Sequence, residues 1–387
     1  MSKNGFLKRL SVLGLCSAGT VFGMAYGSPV LAKEVLVKIG HIAPLSGPQA
    51  HYGKDNESGA RLAIDDLNAM KIQLEGGTAK FELVPEDDAA DPKTGAIVAQ
   101  KLCDMKVNGI VGHLNSGTTI PASRIYYDCG IPQITPSATT PKVTQQGFES
   151  VFRVIAHDGV LGVALAKFTV SDLKAKRVVV IDDRTGYGQP LADIYAKNVQ
   201  ANGAQVVERH YTNDKATDFA AILTAVKRAN PDVVFYGGMD AQAGPMLRQM
   251  KQLGIKASLI GGDGICTTEL SKLGGDNVGS NVICAEGGMA LSKMPGGPAF
   301  EKRFKAKYKA DIQVYAPFVY DAVMTMGMAM KEAKSAEPKK YLPKLKTIQH
   351  QGVIGTITFD EVGDVKNAAV TVNTYNKQGK TPLKVLQ

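Results

Sequence analysis

The stretches "RVVVIDDR" (177–184) and "DVVFYGGM" (232–239) decide the fold of this chain. Each is a short, continuously apolar run that ends in Gly or an acid, and each is followed by a segment with helical spacing of its apolar residues, "PLADIYAKNVQANG" (190–203) and "AQAGPMLRQMKQLG" (241–254). Strands that are apolar on both faces are typical of parallel sheets covered by helices on each side. The two stretches therefore predict an α/β fold with a parallel sheet.

The same alternation of strand-like and helix-like segments extends in both directions along the chain. Upstream, the strand-like runs are "EVLVKIGHIAPL" (34–45), "KFELVPEDD" (80–88), "VNGIVGHL" (107–114) and "IPQITPS" (131–137). Downstream, helical stretches at 296–310, 316–334 and 338–347 precede the strand-like "GTITFDEVGDVKNAAVTVNTYN" (355–376). A chain of 387 residues exceeds what one core usually serves. We therefore predict two doubly wound α/β domains.

The first 32 residues have the pattern of a signal peptide. A basic start, "MSKNGFLKRL", leads into an apolar stretch, and Val30 and Ala32 occupy the positions that a signal peptidase reads. We predict cleavage near Ala32 and export to the periplasm. Cys16 offers lipidation as an alternative, but Leu15 before it is too large for a lipobox.

Charge and composition argue against several classes of partner. The net charge of +9 falls to +6 if Lys3, Lys8 and Arg9 leave with the signal peptide (9 − 3 = 6). Many remaining lysines lie at helical spacing among acids, as on solvated helix faces, and the chain has no Trp. Nucleic-acid binding calls for a basic stripe with interleaved aromatics. The six His residues are scattered without metal-ligand spacing. We expect no nucleic acid, metal or cofactor.

Four cysteines remain after the predicted signal peptide: Cys103, Cys129, Cys266 and Cys284. An even number in an oxidising compartment predicts two disulfides. Three pairings are possible. We favour Cys103 with Cys129 and Cys266 with Cys284, because each bridge then stays inside one domain.

The candidate site lies at the carboxyl ends of the predicted strands, where ligands bind in open α/β sheets. These ends carry small residues, hydroxyls, a Tyr or a single acid, which suits a small polar ligand. They are "HIAPLSGPQAHYG" (41–53), "GHLNSGTT" (112–119), "TPSATTP" (135–141), "DRTGYGQ" (183–189), "YGGMDAQ" (236–242) and "GGDGICT" (261–267).

Enzyme motifs are absent from these strand ends. A nucleophile elbow needs Gly-x-Ser-x-Gly, and Ser116 has Leu114 and Thr118 at the glycine positions. Neither a Walker loop nor a GxGxxG after the first strand is present. We therefore predict a binding protein and not an enzyme.

Recognition of a zwitterion is the chemistry that these residues allow. Ser116, Thr139 and the N–H groups around positions 117–119 are predicted to face a carboxylate, although each hydroxyl could instead cap a helix. An acid at another strand end, Asp263 or Asp240, would hold the ammonium group.

Motifs along the whole chain resemble the periplasmic leucine/isoleucine/valine-binding proteins, the solute-binding components of branched-chain amino acid ABC importers. The resemblance rests on "IAPLSGPQAHYG", "DDAADP", "GHLNSGTTIPAS", "ITPSATTP", "GYGQ", "YGGMDA" and "GTITFDEVGD". It implies a type I periplasmic-binding fold, with two Rossmann-like doubly wound lobes joined by hinge segments near 155–158, 285–289 and 364–367. Lobe 1 would hold residues 33–156 and 288–365, and lobe 2 residues 157–287 and 366–387.

The resemblance also implies the ligand set and the partners. The carboxylate would be held by Ser116, Thr139 and the backbone near Ser137. The partners would be a small amino acid, a branched-chain one favoured, or a related carboxylate, and an inner-membrane ABC permease, with the protein a monomer. The predicted ligand-binding residues are Tyr52, Leu114, Asn115, Ser116, Ser137, Ala138, Thr139, Tyr187, Met239, Asp263 and Tyr315.

Two of these positions depart from the best-known members of the family. They have Glu where this chain has Asp263, and Tyr where it has Met239. Asp is one methylene shorter, and Met gives a softer, more adaptable wall without a hydroxyl. An uptake or regulatory system for amides, urea or aromatic acids on the same scaffold is therefore kept as the alternative.

Overall fold

The computed structural model describes residues 33–386, so the predicted signal peptide lies outside the described residues. Within that range, no helix has the length and apolar character needed to cross a membrane. The strands are β1 (Glu34–Ala43), β2 (Gln73–Leu74), β3 (Gly77–Asp87), β4 (Gly109–Gly112), β5 (Gln133–Thr135), β6 (Val151–Arg153), β7 (Arg177–Asp182), β8 (Gln205–Tyr211), β9 (Val233–Gly237), β10 (Ser258–Gly261), β11 (Val282–Gly287), β12 (His350–Gln351), β13 (Thr356–Ile357), β14 (Val370–Asn376) and β15 (Gly379–Leu386).

Helices alternate with these strands as the sequence predicts. They are α1 (Ala50–Ala69), α2 (Pro92–Asp104), α3 (Ser116–Cys129), α4 (Asp158–Ser171), α5 (Gly188–Ala201), α6 (Ala220–Ala229), α7 (Asp240–Gln252), α8 (Glu269–Gly274), α9 (Gly297–Tyr308), α10 (Ala316–Ala333) and α11 (Pro338–Lys346).

The strands form two large sheets, and we use each sheet to define a lobe. The lobe 1 sheet has the order β2-β3-β1-β4-β5-β6, and the lobe 2 sheet has the order β15-β14-β11-β10-β9-β7-β8. Neighbours are parallel except where β2, β14 and β15 pair. The chain leaves lobe 1 after β6, returns to it through α10, which packs on α1, and enters lobe 2 again at β14. This confirms the predicted two-lobed α/β fold, while the exact lobe boundaries stay a prediction.

Strands β7 and β9 lie side by side inside the lobe 2 sheet, with a further strand on each side of the pair, and their burial explains their composition. Val178 to Ile181 are fully buried. Val178 and Val180 pack into one core cluster, whereas Val179 and Ile181 pack into another on the opposite face of the sheet. Because both faces are covered, neither strand shows the alternation of polar and apolar residues seen in half-exposed sheets.

A buried ion pair joins lobe 1 to the third connection between the lobes. Arg153, fully buried at the end of β6, donates from Nε and Nη2 to Oδ1 of Asp364, at 2.9 and 2.6 Å. Its Nη1 donates to the carbonyl oxygens of Ala138 and Thr140, at 3.1 and 2.7 Å. Arg153 therefore holds the loop after β5 against the segment that carries the chain to β14.

The two predicted disulfides are present with the favoured pairing. Cys103 at the end of α2 is bonded to Cys129 at the end of α3, and Cys266, shortly after β10, is bonded to Cys284 in β11. Each bridge lies within one lobe, as predicted.

Candidate ligand-binding site

The first strand end to contribute is that of β4, where the chain turns into α3. Asn115 precedes the helix, and its carbonyl oxygen accepts the N–H groups of Thr118 and Thr119, at 3.2 and 2.9 Å. The prediction that N–H groups through Thr119 face a ligand is therefore wrong for these two, because the first turn of the helix uses them. Ser116 and Gly117 carry the first two N–H groups of α3, which a helix cannot bond internally.

The loop after β5 lies against this helix start. Ser137 donates its hydroxyl to the carbonyl of Leu114 at 3.2 Å, and Ser116 Oγ accepts the N–H of Thr140 at 3.3 Å. Among residues 33–386, no acceptor is recorded for the Ser116 hydroxyl proton, which can therefore be donated to a ligand. Thr139 is fully buried, and its hydroxyl has no partner among the described residues. We call Ser116, Gly117 and Thr139 the anion site, because their hydroxyl and N–H donors suit a carboxylate.

Lobe 2 places Asp263 opposite this group, just after β10. Oδ1 of Asp263 accepts the Tyr187 hydroxyl at 2.7 Å and the Gly264 N–H at 3.1 Å. Oδ2 is buried without a partner in the described chain. Burial raises the pKa of Asp263 to about 6, against the lowering effect of the Tyr187 and Tyr315 hydroxyls. A buried carboxylate with a free oxygen is suited to bind a cation.

A second buried acid, Asp158, was missed by the sequence prediction. It is the first residue of α4, is fully buried, and has no hydrogen-bond partner in residues 33–386 for either carboxylate oxygen. Its N–H donates to the carbonyl of Thr139 at 2.8 Å, so it lies directly beside the anion site. Burial and then the charge of Asp263 hold the pKa of Asp158 well above its usual range, opposed by the nearby Thr139 hydroxyl and Arg153.

Aromatic and sulfur-containing side chains form the remaining walls. Tyr52 is fully buried and donates its hydroxyl across the cleft to the carbonyl of Gly264 at 2.7 Å. Its ring centroid lies 6.1 Å from that of Tyr315, which is also buried. A Cβ added at Gly264 would lie 2.7 Å from Sδ of Met239 and 2.8 Å from the Tyr187 ring. The wall of lobe 2 is therefore closely packed at this point.

Asp240, the other acid considered for the ammonium group, is already engaged. Its Oδ2 accepts the Thr267 hydroxyl at 2.5 Å and lies 2.8 Å from Nε2 of His51 in lobe 1. We assign Asp240 to contact between the lobes. Asp158 and Asp263 are the acids that face the anion site.

The structure brings the predicted site residues to the facing ends of the two sheets, with Tyr52 and Tyr315 contributed by α1 and by the residue before α10. Asn115 is partly engaged elsewhere, since its Nδ2 donates to Oε1 of Gln49 at 2.7 Å. The set after β4 is Leu114, Asn115 and Ser116, the set after β5 is Ser137, Ala138 and Thr139, and those of lobe 2 are Tyr187, Met239 and Asp263.

The site lacks the geometry of a hydrolase. His113 is the histidine nearest the predicted cleft. Its Nδ1 lies 2.8 Å from Oδ2 of Asp88 and its Nε2 lies 3.0 Å from the Tyr126 hydroxyl, so both ring nitrogens are paired with residues other than Ser116. Within residues 33–386, no cluster of His, Cys, Asp and Glu is arranged to hold a metal ion. The arrangement can bind a zwitterion, with the carboxylate at the anion site and the ammonium between two acids.

Comparison with known proteins identifies the family of the chain. The family model described as "Periplasmic binding protein" matches residues 36–380. A leucine-, isoleucine-, valine-, threonine- and alanine-binding protein of Pseudomonas aeruginosa is 34% identical, over 88% of this chain and 90% of its own length. The solved leucine-binding protein of Thermotoga maritima has a TM-score of 0.84 at 29% identity, covering 91% of this chain and 99% of its own.

A solved branched-chain amino acid transporter substrate-binding protein from Streptococcus pneumoniae, in complex with isoleucine, has a TM-score of 0.81 at 27% identity and covers 91% of this chain and 99% of its own. These relatives are solute-binding proteins. The chain belongs to the periplasmic binding protein family and, within it, to the Leu/Ile/Val-binding proteins, and it is not an enzyme.

Proposed function

We propose that this protein captures a small α-amino acid, a branched-chain one favoured, between its lobes in the periplasm and delivers it to an inner-membrane ABC permease. One observation carries the proposal: the anion site lies beside two buried acids with oxygens that have no hydrogen-bond partner among residues 33–386. In an α-amino acid the carboxylate and ammonium groups are attached to the same carbon. The N–H of Asp158 donates to the carbonyl of Thr139, so the two kinds of group are adjacent here as well.

The two acids favour an amino acid over the aromatic acids and amides kept as alternatives. Benzoate or a related acid would bring a negative charge beside two buried acids, Asp158 and Asp263, with no cation to offset it. An amide or urea would leave both carboxylates without a counter-charge. An ammonium group between them supplies that charge and satisfies their free oxygens.

The walls favour a small aliphatic side chain. Leu114, Met239 and Tyr315 are buried at the cleft, and Met adapts to side chains of different shape. The relatives are consistent with this choice, since the Pseudomonas aeruginosa protein is named for Leu, Ile, Val, Thr and Ala. The shorter Asp263 is compensated in this proposal by Asp158, which approaches the ammonium from the other side.

Hinge closure completes the mechanism. Tyr52 and His51 of lobe 1 contact Gly264 and Asp240 of lobe 2, so both pairs form only when the lobes are together. The ligand, bound first at the anion site of lobe 1, is then enclosed when lobe 2 brings Asp263 and Tyr187 over it. The closed monomer presents the surface that the permease recognises.

A thermal-shift panel tests the proposal. It compares leucine with two analogues, 4-methylpentanoate without the ammonium and leucinamide without the carboxylate, and adds alanine, urea and benzoate. We expect leucine to stabilise the protein by about 2.7 kcal/mol at a hundred times its dissociation constant, and both analogues to give little shift. A shift with benzoate or 4-methylpentanoate equal to that with leucine would contradict the role of the acids.

The binding of the amino acid is expected to weaken as the pH falls from 7.5 to 5. Because the pKa of Asp263 is raised to about 6, the carboxylate that pairs with the ammonium is lost by protonation in this range. Below that pKa, affinity is expected to fall by up to about tenfold per pH unit. Isothermal titration calorimetry at several pH values measures this.

The stability of the free protein is expected to depend on pH in the opposite direction: it should rise as the pH falls. A raised pKa means that burial disfavours the charged form, so the contribution of Asp263 to stability is present below its ordinary pKa and is lost as the pH rises through about 6. An Asp263→Asn variant should show a flatter pH dependence of both quantities. Equal leucine affinity at pH 7.5 and pH 5 in the unchanged protein would refute this account.

A further inference from the structure

The residues Gln313, Val314, Tyr315 and Ala316, which we call the contact turn, lie where three parts of the molecule meet. They lead into α10, they carry Tyr315 into the cleft, and they touch lobe 2. One side chain, that of Asp55 in α1, binds the backbone N–H groups of all four residues.

Asp55 accepts hydrogen bonds from the backbone of every residue of the contact turn. Its Oδ1 accepts the N–H of Gln313 at 3.0 Å, and its Oδ2 accepts those of Val314, Tyr315 and Ala316 at 3.3, 2.9 and 2.9 Å. Asp55 is 5% exposed. A buried carboxylate at the start of a helix benefits from charge-assisted hydrogen bonds and from the positive end of the helix dipole.

The same helix carries the other tyrosine of the cleft. Tyr52 lies one turn before Asp55 in α1, and Gly59 lies one turn after it. A Cβ added at Gly59 would lie 2.4 Å from the carbonyl oxygen of Ala316, so the backbones of α1 and the contact turn are in direct contact. Asp55 therefore fixes the spacing between Tyr52 and Tyr315, whose ring centroids are 6.1 Å apart.

The contact turn also holds lobe 2 at a point away from the cleft residues. Oε1 of Gln313 accepts the Thr268 hydroxyl at 2.7 Å, and its carbonyl oxygen accepts Nζ of Lys380 at 3.2 Å. Lys380 donates in addition to the carbonyl of Cys266 at 2.8 Å, three residues after Asp263. These contacts join the two lobes in the arrangement described here, so they favour it without touching the ligand.

We propose that Asp55 is a positioning residue for ligand capture: by holding the contact turn it sets Tyr315 in the cleft and places Gln313 to hold lobe 2 closed. This rests on the proposed function and extends it to a residue that does not face the ligand. Loss of Asp55 then favours the open arrangement, and a bound amino acid is released faster while its association rate changes little.

The test uses Asp55→Asn, which keeps the shape of the side chain but loses its charge and leaves at most one acceptor oxygen. We expect leucine to dissociate about tenfold faster, as is typical for loss of a coupled buried contact, and to associate at a rate within about twofold of the unchanged protein. Stopped-flow or surface-based kinetics measure both rates. Glu57→Gln, on the exposed side of the same helix, is the matched control and should change neither.

Gln313→Ala separates positioning from stability, because it removes the contact with Thr268 and leaves the backbone N–H groups bound to Asp55. It is expected to raise the dissociation rate without lowering the unfolding midpoint of the free protein. The double variant should be less than additive, since both changes act through one contact turn. If Asp55→Asn fails to fold, the single variant Gln313→Ala still tests whether the contact turn holds lobe 2.

Small-angle scattering provides a readout that does not depend on the identity of the ligand. If the unchanged protein binds no amino acid, the proposed function fails, but a larger radius of gyration of the variants in free solution would still support the positioning role. Unchanged dissociation rates and an unchanged radius of gyration, with only a lower unfolding midpoint, would overturn it and leave Asp55 a purely structural residue.

Discussion

Replacing Asp158 and Asp263 together by Asn is expected to abolish useful affinity for an amino acid while leaving the fold intact. Both acids are fully buried beside the anion site, and within the described part of the chain each has an oxygen without a hydrogen-bond partner. Removing both leaves the ligand ammonium desolvated without a counter-charge. Truncating one side of a buried charged pair costs about 2–5 kcal/mol, or roughly thirty- to several-thousand-fold in the dissociation constant.

The matched measurements make this result specific. Each single Asn variant should lose less than the double variant, because the other acid still faces the ammonium. The double variant should in addition gain affinity for 4-methylpentanoate, since the repulsion of a bare carboxylate is gone. Its unfolding midpoint should not fall, because two buried acids whose oxygens lack hydrogen-bond partners in the described chain have been removed. Wild-type affinity for leucine in the double variant would show that the cation is held elsewhere.

Replacing Asp364 by Asn is expected to cause the largest loss of stability. The substitution leaves the guanidinium of Arg153 buried without its counter-charge, and breaking a buried pair in this way costs about 3–5 kcal/mol. Burial already lowers the pKa of Arg153, and the carboxylate of Asp364 is the main opposing influence. Because Asn keeps one acceptor, we expect a loss near the lower end, about 3 kcal/mol, in urea unfolding at pH 7.

Two further variants test whether the loss of stability comes from leaving a buried charge unpaired. One is a control at a surface ion pair, and the other replaces both members of the buried pair. Asp172→Asn removes the surface partner of Lys384 and should leave the unfolding curve unchanged. The apolar double variant Arg153→Met/Asp364→Leu should recover most of the stability. It should still bind leucine more weakly, because the carbonyls on either side of Thr139 lose their donor. An Asp364→Asn protein as stable as the original would refute the account.

Most of the fold is predictable because buried strands and helices have a recognisable pattern of apolar residues in the sequence. The continuous apolar runs of β7 and β9 indicate strands covered on both faces, and the even cysteine count indicated two bridges. Strand β15 has no such apolar pattern. Its Leu383 and Val385 are exposed, and Pro382 pairs opposite Asn373, where the ladder shifts its register. An edge strand of this kind is defined by its partner and not by its own pattern.

The site residues also fall into those that the sequence could predict and those that it could not. Ser116, Thr139 and Asp263 could be found because each follows a strand end, where ligands of open sheets bind. Asp158 could not, because an acid in the first turn of a helix usually serves the helix dipole. Only its tertiary surroundings, full burial and the lack of a partner for either oxygen, distinguish it. The N–H groups of Thr118 and Thr119 donate to the Asn115 carbonyl within the first turn of α3. This too depends on where the helix begins, which the sequence does not define to the residue.

The path of the chain between the lobes also constrains how the molecule is made. Lobe 1 needs α10, which begins more than 200 residues after the end of α1, on which it packs. A chain that folds from its amino end therefore exposes the apolar face of α1, including Leu67, until residue 327 and its neighbours are available to cover it. Such long-range closure slows folding and exposes apolar surface on the way. Lobe 2, whose five parallel strands come from one continuous segment, can acquire most of its core first and act as the scaffold on which lobe 1 is completed.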